Sequence, residues 1–313
     1  LVCSTDLHMW QKGHPALRCP RILGHEIAGM VVDVSGNERQ FSIGDRVQVY
    51  PGIPCGDCSF CQRGRENLCP SIAILGFSRD GGFAQYLALP GAGARALNPV
   101  PHSLSFAEAA LAEPLACCLN GLERTGLNSG ETVLILGAGP VGCLFAMASR
   151  HHGAEKIIMV ENDPKRLNAA LAAGADALID PTGIELVEAV RELSGGRGAD
   201  MVVACFREAA RTYPLLELSA PGGRVLMFSG LPATGMVPTD LNRIHYQELA
   251  VVGAYGCTAA QCRRAVELLA GNLEAGWLLS LCVGLDALEE GLGALSSRSV
   301  MKVCVDPWEG NDG

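Results

Sequence analysis

The fold of this 313-residue chain depends on one stretch, Thr132-Val-Leu-Ile-Leu-Gly-Ala-Gly-Pro-Val-Gly142. A run typical of a buried strand is followed at once by the pattern G-x-G-x-x-G and by the apolar segment Cys143–Ser149. Gly137 permits a tight turn, Gly139 leaves room for a close approach to the backbone, and Gly142 lets helix pack on strand. The stretch predicts a helix N-terminus whose amides bind phosphate.

The chain around this stretch, from about Glu131 to Gly253, alternates short β-branched runs with longer amphipathic segments rich in Ala and Leu. That alternation is typical of repeated βαβ units and predicts an α/β fold with a doubly wound parallel sheet, the Rossmann class. The predicted strands are Thr132–Leu136, Lys156–Val160, Asp176–Ile179, Asp200–Ala204, Gly223–Phe228 and Leu249–Gly253.

An acidic residue, Glu161, stands 19 positions after Gly142, at the end of the second predicted strand. A carboxylate there accepts hydrogen bonds from a ribose diol and repels a 2′-phosphate, which favours NAD over NADP. Arg166 keeps NADP open, and Glu161 or Asp163 also suits the role of helix cap. The predicted cofactor residues are Gly137, Gly139, Pro140, Val141, Gly142, Glu161 and Arg166.

The segment before the parallel sheet is rich in Gly, Pro and Cys and predicts a separate, mostly β domain over residues 1–112. Residues 113–255 form the predicted nucleotide-binding domain, and residues 256–313 a C-terminal segment that returns to the first domain. Predicted elements outside the parallel sheet are strands at Ala28–Val34, Arg46–Tyr50, Phe83–Ala88 and Val300–Val305 and a helix at Thr258–Ala270.

Four cysteines follow the spacing C-x2-C-x2-C-x7-C: Cys55, Cys58, Cys61 and Cys69. Four thiolates in one short loop suit a closed tetrahedral zinc site, which stabilises the fold and leaves no position for a substrate. An iron–sulfur cluster is the main alternative, but its usual fourth ligand comes about three residues after the third rather than seven. Unliganded thiols are the remaining alternative.

A second set of possible metal ligands is spread along the chain. Cys3 begins the segment Cys3–His8, Gly24-His25-Glu26 follows with His25 at 22 positions after Cys3, and Glu113 comes later. A thiolate, an imidazole and a carboxylate hold zinc while leaving one position open. Each residue alone is equally compatible with an ordinary surface or an inert thiol.

The combination resembles the zinc-containing medium-chain alcohol dehydrogenases, especially the polyol (sorbitol-like) and threonine dehydrogenase branches. The resemblance spans nearly the whole chain and implies a GroES-like catalytic domain beside the Rossmann domain. The matching stretches are Cys3–His8, Gly24–Gly29, Gly44–Val47, the four-cysteine loop, Gly81–Tyr86, Glu113–Ala116, the glycine pattern and Ile244–Leu249.

The resemblance implies a role for each residue of the second set. Cys3 and His25 would bind a catalytic zinc, and Glu26 or Glu113 would supply the carboxylate directly or through water. The sequence therefore predicts two Zn²⁺ per chain, the second in the four-cysteine loop.

Two residues near Cys3 carry the implied proton transfer. Thr5 would accept the hydrogen bond of the substrate hydroxyl, and His8 would pass the proton toward solvent through the cofactor ribose. Asp6 is expected to orient this loop. Hydride would then pass from the alcohol to the nicotinamide.

Two departures from the family pattern stand out. Cys3 lies near the start of this chain, whereas about 30 to 40 residues are expected before it, so an N-terminal segment of roughly 35 residues is expected to be missing. At Ala204–Arg207, relatives often carry a small Thr-Gly turn near the nicotinamide; Phe206 in that turn is expected to alter cofactor fit.

The composition argues against certain classes of partner and indicates the cellular compartment. A net charge of −9 with scattered basic residues argues against nucleic acid, and the glycines within the uncharged run Thr132–Ser149 argue against a membrane span. Fourteen cysteines in a long chain of this type favour thiols in a reducing cytoplasm over a disulfide framework. The expected assembly is a homodimer or homotetramer.

The function expected from these features is oxidation of a secondary alcohol, such as a polyol, polyol phosphate or cyclitol, with NAD. L-threonine 3-dehydrogenase is the nearest alternative within the family. Zinc-free reductases of the same superfamily are disfavoured by the retained metal ligands. A nucleotide-binding protein that has lost catalysis is the alternative from another class.

Overall fold

The computed structural model describes residues 1–35, 40–91, 97–231, 236–271 and 273–309. Two compact units are present, one of Leu1–Ala116 with Gly256–Gly313 and the other of Cys117–Tyr255. Each unit has its own sheets and apolar clusters. The chain leaves the first unit once and returns to it for its final segment.

The first unit begins with a helix and continues through short strands. Its main sheet is antiparallel in the order β1-β2-β5, and β3 pairs with β4 in a two-stranded ladder. The strands are β1 (Ile27–Met30), β2 (Arg46–Val49), β3 (Gly52–Ile53), β4 (Ala73–Ile74) and β5 (Leu97–Pro99). The helices are α1 (Ser4–Lys12), α2 (Ser59–Gln62), α3 (Phe106–Ala110) and α4 (Ala112–Thr125), the last continuing into the second unit.

One predicted strand of this unit is wrong. Phe83–Ala88 forms no strand, although these residues are all described. The reason is that the backbone where this strand would begin is bonded to the irregular segment before His25. The Gly81 amide donates to the Ile22 carbonyl, and the Phe83 amide donates to the Leu23 carbonyl. The strand predicted at Ala28–Val34 exists but ends at Met30.

The second unit is built on the predicted parallel sheet of six strands, in the order β11-β10-β9-β6-β7-β8. Because β6 has β7 on one side and β9 on the other, the winding direction reverses beside it, where open α/β sheets bind ligands. The strands are β6 (Thr132–Leu136), β7 (Lys156–Val160), β8 (Ala177–Ile179), β9 (Ala199–Ala204), β10 (Ser219–Met227) and β11 (Ala250–Gly253).

Helices cover this sheet and close its apolar core. A fully buried cluster includes Leu134 and Leu136 of β6, Ile158 of β7 and Val202 of β9. Such continuous apolar strands are expected where both faces of a parallel sheet are covered. The helices are α5 (Pro140–His151), α6 (Pro164–Ala172), α7 (Leu186–Leu193), α8 (Ala209–Thr212), α9 (Leu215–Leu218) and α10 (Leu241–Tyr246).

The returning segment completes the first unit with α11 (Ala259–Ala270), α12 (Leu288–Ser296) and the parallel strands β12 (Leu279–Val283) and β13 (Lys302–Val305). Val2 bridges to Val303 of β13, so the start of the chain lies against its end. Within the described part of the chain, no helix has the length and apolar character needed to cross a membrane. The uncharged run Thr132–Ser149 forms β6 and most of α5.

Candidate functional site

The first helix, α1, starts at the cysteine predicted to bind the catalytic metal. Cys3 is its N-cap, and the Asp6 carboxylate accepts the Cys3 amide at 2.8 Å. Asp6 and Met9 occupy one face of the helix and are buried, with Asp6 fully inaccessible. This capping contact fixes the backbone from which the Cys3 thiol projects.

His25 is placed by a turn that only glycine accommodates. Gly24 has φ +93°, and a Cβ atom there would lie 2.7 Å from Cδ1 of Phe83. The Gly24 amide donates to Asp6 at 3.2 Å, which ties this turn to α1. The imidazole of His25 then packs edge-on against Phe77, with ring centroids 5.4 Å apart.

These elements bring Cys3, His25 and Glu26 together. One ligand atom from each lies within 4.8 Å of the others, and His25 and Glu26 are buried. Zinc bonds of about 2.0–2.3 Å hold tetrahedral ligand atoms about 3.3–3.8 Å apart, so a small contraction suits a metal ion. A thiol, an imidazole and a carboxylate facing one point are a fitting donor set for zinc with a fourth position open.

The two ring nitrogens of His25 have different surroundings. Nδ1 lies 3.1 Å from the Asp6 carboxylate, which leaves Nε2 as the nitrogen for a metal. Burial alone would lower the pKa of His25, but the charge and hydrogen bond of Asp6 raise it well above 6.5. A metal ion bound at this site would compete with a proton for the imidazole.

The carboxylate of Glu26 is held by a residue far along the chain. Lys302 of β13, 276 residues away, donates from Nζ to Oε1 at 2.5 Å, and both side chains are almost completely buried. The other oxygen, Oε2, is buried without a hydrogen-bond partner in the described structure. An orphaned buried carboxylate oxygen beside a thiol and an imidazole fits a metal ligand.

Glu113 is also buried, at the start of α4, but it is not among the three grouped ligands. Burial alone would lower the pKa of Lys302, but the nearby charge of Glu26 and, to a smaller extent, that of Glu113 raise it above its usual value. Of the two candidate carboxylates, Glu26 is the one that lies within the Cys3–His25 cluster.

Thr5 and His8 lie on α1, three positions apart and therefore on one side of the helix. Both are partly exposed, in contrast to the buried Asp6 and Met9. This places a hydroxyl and an imidazole on the accessible side of the helix that begins at Cys3.

The four-cysteine loop closes on itself as its spacing predicts. The sulfur–sulfur distances are 3.4 Å for Cys58–Cys61, 3.5 Å for Cys55–Cys69 and 3.9 Å for Cys55–Cys61. Around a tetrahedral zinc with bonds of about 2.3 Å, sulfurs are separated by about 3.8 Å. The four thiols therefore fit one zinc ion.

The thiols of this loop differ in acidity. The Cys55 amide and the neighbouring Ser71 lower the pKa of Cys69 to about 6, despite the opposing effect of burial, whereas burial raises the pKa of Cys61 to about 12. A metal ion removes this difference because thiolates, not thiols, are its ligands.

The glycine pattern of the second unit has the predicted close packing. A Cβ atom on Gly142 would lie 1.9 Å from the Gly137 carbonyl oxygen, so no other residue fits the first turn of α5. Gly137 itself has φ +104°. The N-terminal amides of α5 follow directly after this turn, where phosphate groups bind.

Glu161 joins the glycine loop to the end of β7. One carboxylate oxygen accepts the Ala138 amide at 2.9 Å, and the other accepts Asn162 and Asp163 at 2.9 and 3.0 Å. The cap of α6 is Asp163, which accepts the Lys165 amide. The capping alternative for Glu161 is therefore wrong, and its carboxylate is instead fixed at the edge of the glycine loop.

Arg166 lies across the same loop. Its Nη1 would be 3.4 Å from a Cβ atom on Gly139, and its Nε is buried without a hydrogen-bond partner in the described structure. A guanidinium beside the N-terminus of α5, with a donor still unused, fits a phosphate of the cofactor.

Two contacts of the candidate site are not predicted by the sequence. Lys302 carried no signal beyond the prediction that a last strand returns to the first domain. Asp6 was expected to orient the loop, but its hydrogen bond to His25 was not foreseen. Its spacing of three from Cys3 is a capping-box signal that points to the first of its contacts.

Comparison with known families gives two matches along the chain. The model described as alcohol dehydrogenase GroES-like domain matches residues 1–101, and that described as zinc-binding dehydrogenase matches residues 140–271. Together they cover the two candidate metal sites and most of the parallel sheet.

Similar proteins agree with these matches. Sorbitol dehydrogenase of Bacillus subtilis is 34% identical over 276 residues, 87% of this chain and 77% of that protein. L-threonine 3-dehydrogenase of Shewanella frigidimarina is 30% identical, over 98% of this chain and 89% of that protein.

A solved structure described as a zinc-binding dehydrogenase from Sinorhizobium meliloti 1021, with NADP bound, superposes with a TM-score of 0.90. It is 33% identical and covers 98% of this chain and 89% of its own. With the family matches and the relatives above, it shows that this chain belongs to the zinc-containing medium-chain alcohol and polyol dehydrogenase family.

Proposed function

We propose that this protein oxidises a secondary alcohol carrying further hydroxyl groups, with NAD as hydride acceptor and two zinc ions per chain. The observation that carries the proposal is the cluster of Cys3, His25 and Glu26, in which a partly buried thiol meets two buried side chains from a segment 22 positions further along the chain. The first unit is the catalytic domain in this account, and the second binds the dinucleotide.

Each residue has a defined task in the reaction. A zinc ion held by Cys3, His25 and Glu26 would supply a Lewis acid that lowers the pKa of an alcohol. Thr5 accepts the hydrogen bond of the substrate hydroxyl and His8 carries its proton toward solvent. Asp6 holds His25 in the orientation and tautomer that leave Nε2 for the metal.

The carboxylates near the metal differ in their proposed roles. Lys302 neutralises Glu26 through one oxygen and leaves the other for zinc, so Glu26 is the direct ligand. Glu113 acts from a greater distance through water or through the charge of Lys302. The four-cysteine loop stabilises its own segment and takes no part in the reaction.

The choice of NAD over NADP rests on Glu161. Its carboxylate is held by three backbone amides at the edge of the glycine loop, where it can accept a ribose diol and would repel a 2′-phosphate. The similar Sinorhizobium structure holds NADP, so the preference of this chain is tested directly. Titration with NADH and NADPH tests it: we expect NADH to bind at least about tenfold more tightly, and a preference for NADPH would contradict this role of Glu161.

The substrate class is supported by the kind of relatives found. A sorbitol dehydrogenase and an L-threonine 3-dehydrogenase are both similar to this chain, and both names denote alcohols with further polar groups. L-threonine is therefore the second candidate substrate, favoured by the longer coverage of that relative.

The assembly we propose is a homodimer or homotetramer in the cytoplasm. β11 is an edge strand of the parallel sheet, and Val251 on it is 50% exposed. An apolar, unpaired edge favours pairing with a second copy. Val251→Lys is expected to shift the mass measured by light scattering toward that of the monomer. An unchanged mass would exclude β11 as the interface between copies.

The function is tested by measuring NADH formation from zinc-loaded protein with polyols, phosphorylated polyols, cyclitols and L-threonine. We expect turnover with at least one polyhydroxylated secondary alcohol. Turnover with L-threonine alone would move the assignment to threonine dehydrogenase. Tight binding of NADH and zinc without turnover of any substrate would favour a nucleotide-binding protein that has lost catalysis.

A further inference from the structure

Phe206 stands at the point where the winding of the parallel sheet reverses. It follows the end of β9 at Ala204 by two residues, on the opposite side of β6 from β7. Its Cδ1 would lie 3.4 Å from a Cβ atom on Gly137, the first glycine of the pattern. An aromatic ring thus borders the crevice in which such sheets bind their ligands.

A second ring extends this aromatic surface. Tyr213 packs against Phe206 in a T-shaped contact, with ring centroids 6.2 Å apart and planes at 89°. Both side chains are only partly buried, although they also touch the apolar cluster beneath them. Part of each ring therefore remains accessible beside the glycine loop.

The position of Tyr213 indicates which half of a dinucleotide this surface faces. Burial raises the pKa of Tyr213, and the charges of Glu161 and Asp180 raise it further. Glu161 follows β7 and Asp180 follows β8, so the ring lies toward that side of the sheet. Glu161 is also the residue proposed to accept the ribose diol, and the base on that ribose is adenine.

We propose that Phe206 and Tyr213 form an aromatic wall against which the adenine ring of the cofactor packs. This inference rests on the proposed function only in requiring a dinucleotide. A planar purine gains dispersion and electrostatic energy from an aromatic neighbour that an aliphatic side chain does not supply. The wall thus adds affinity for the adenosine half and none for the nicotinamide half.

The test measures binding of two cofactor fragments to the full, zinc-loaded chain by calorimetry. ADP-ribose contains adenine, whereas reduced nicotinamide mononucleotide does not. Phe206→Leu is expected to weaken ADP-ribose binding by about 5- to 30-fold and to leave the mononucleotide within about twofold. Phe206→Trp, which keeps an aromatic face, is expected to bind ADP-ribose as the unaltered protein does. Tyr246→Leu, at an exposed ring of the same unit, is the control.

Two outcomes would overturn the inference that adenine packs on these rings. Unchanged ADP-ribose binding in Phe206→Leu would show that the ring only fills space, and weaker mononucleotide binding would place it at the nicotinamide. Neither outcome depends on turnover, so alcohol oxidation by the unaltered protein can succeed while this inference fails.

A spectroscopic readout covers the case in which Phe206→Leu does not fold. The fluorescence of 1,N6-etheno-ADP-ribose, whose modified adenine emits light, is expected to fall when it binds the unaltered protein, because stacking on aromatic rings quenches it. Tyr213→Leu is expected to weaken that quenching. Bound ligand with unquenched emission would contradict stacking.

Discussion

At the scale of single residues, the cluster of Cys3, His25 and Glu26 is held in place by a carboxylate outside the group, Asp6. Asp6 is fully buried, fixes Nδ1 of His25 and accepts the amides of Cys3 and Gly24. Removing such a partner of a metal-bound histidine costs about 10- to 100-fold in metal affinity. The position of the imidazole is thus fixed from α1 as well as by the turn at Gly24 in its own segment.

Asp6→Asn is therefore expected to weaken zinc binding at the Cys3–His25–Glu26 site by about 10- to 100-fold. After dialysis against a weak chelator, zinc content should fall from about two to about one per chain, because the four-cysteine site is untouched. Asp33→Asn, at an exposed carboxylate of the same unit, is the control and should keep both ions. Full zinc retention by Asp6→Asn would show that this carboxylate has no role in the metal site.

The pair of Lys302 and Glu26 gives a second prediction at this scale. Lys302→Met leaves a buried carboxylate without its partner, which typically costs about 3–5 kcal/mol. We expect the free energy of unfolding of the zinc-free protein, measured with urea, to fall by that amount.

The double variant Lys302→Met with Glu26→Gln removes the uncompensated charge and should recover most of the loss. A loss in Lys302→Met that the second substitution does not restore would indicate that packing of the lysine stem, not its charge, is what matters.

At the scale of elements, the four-cysteine loop is a closed unit whose thiols already lie at nearly the separations that zinc requires. Cys58→Ser is expected to remove one zinc per chain and to lower the melting temperature by several degrees, since a structural zinc contributes directly to folding. Cys19→Ser, at an exposed thiol outside the loop, should leave both unchanged. An unaltered zinc content in Cys58→Ser would contradict four-thiolate ligation.

The parallel sheet is fastened at the start of β6 by an ion pair. Arg224 of β10 bonds both oxygens of Glu131, at 3.0 Å from Nη1 and with a short second contact from Nη2. Burial alone would raise the pKa of Glu131, but the donors from Arg224 and Asn128 lower it below 4.5. Its contribution to stability is therefore present above pH 4.5 and is lost as the pH falls through the lowered value.

Glu131→Gln is expected to cost about 1 kcal/mol near neutral pH, because the pair is partly open to solvent. The difference from the unaltered protein should shrink when urea unfolding is repeated in acid below pH 4.5. Glu192→Gln, at an exposed carboxylate of the same unit, should show no such trend. If the difference in free energy of unfolding between Glu131→Gln and the unaltered protein instead grew in acid, the predicted pH dependence would be contradicted.

At the scale of the whole molecule, local signals predicted most of the fold. The six parallel strands lie close to their predicted positions because each is a short apolar run followed by a helix. The strand predicted at Phe83–Ala88 is wrong. Its sequence pattern is that of a strand, but the amides at its start donate to the carbonyls of the turn before His25. Propensity cannot report which partner a backbone amide finds.

Parts of the candidate site are likewise predictable from local sequence, whereas others depend on contacts between distant segments. The four-cysteine loop is encoded within 15 residues, so its geometry follows from spacing. Lys302 reaches Glu26 across 276 residues, and Phe206 lies beside Gly137 only because β9 is the neighbour of β6 in the sheet. Contacts of that kind appear only when the fold brings distant segments together.

In the proposed function, a zinc ion on Cys3, His25 and Glu26 carries the alcohol dehydrogenase activity. The most direct test is the rate of NADH formation by zinc-loaded protein, compared between the unaltered chain and Cys3→Ser, with zinc counted in both samples. We predict about two zinc ions and turnover for the unaltered chain, and about one ion with a rate at least about 1000-fold lower for Cys3→Ser. Turnover by Cys3→Ser close to that of the unaltered chain would contradict the account.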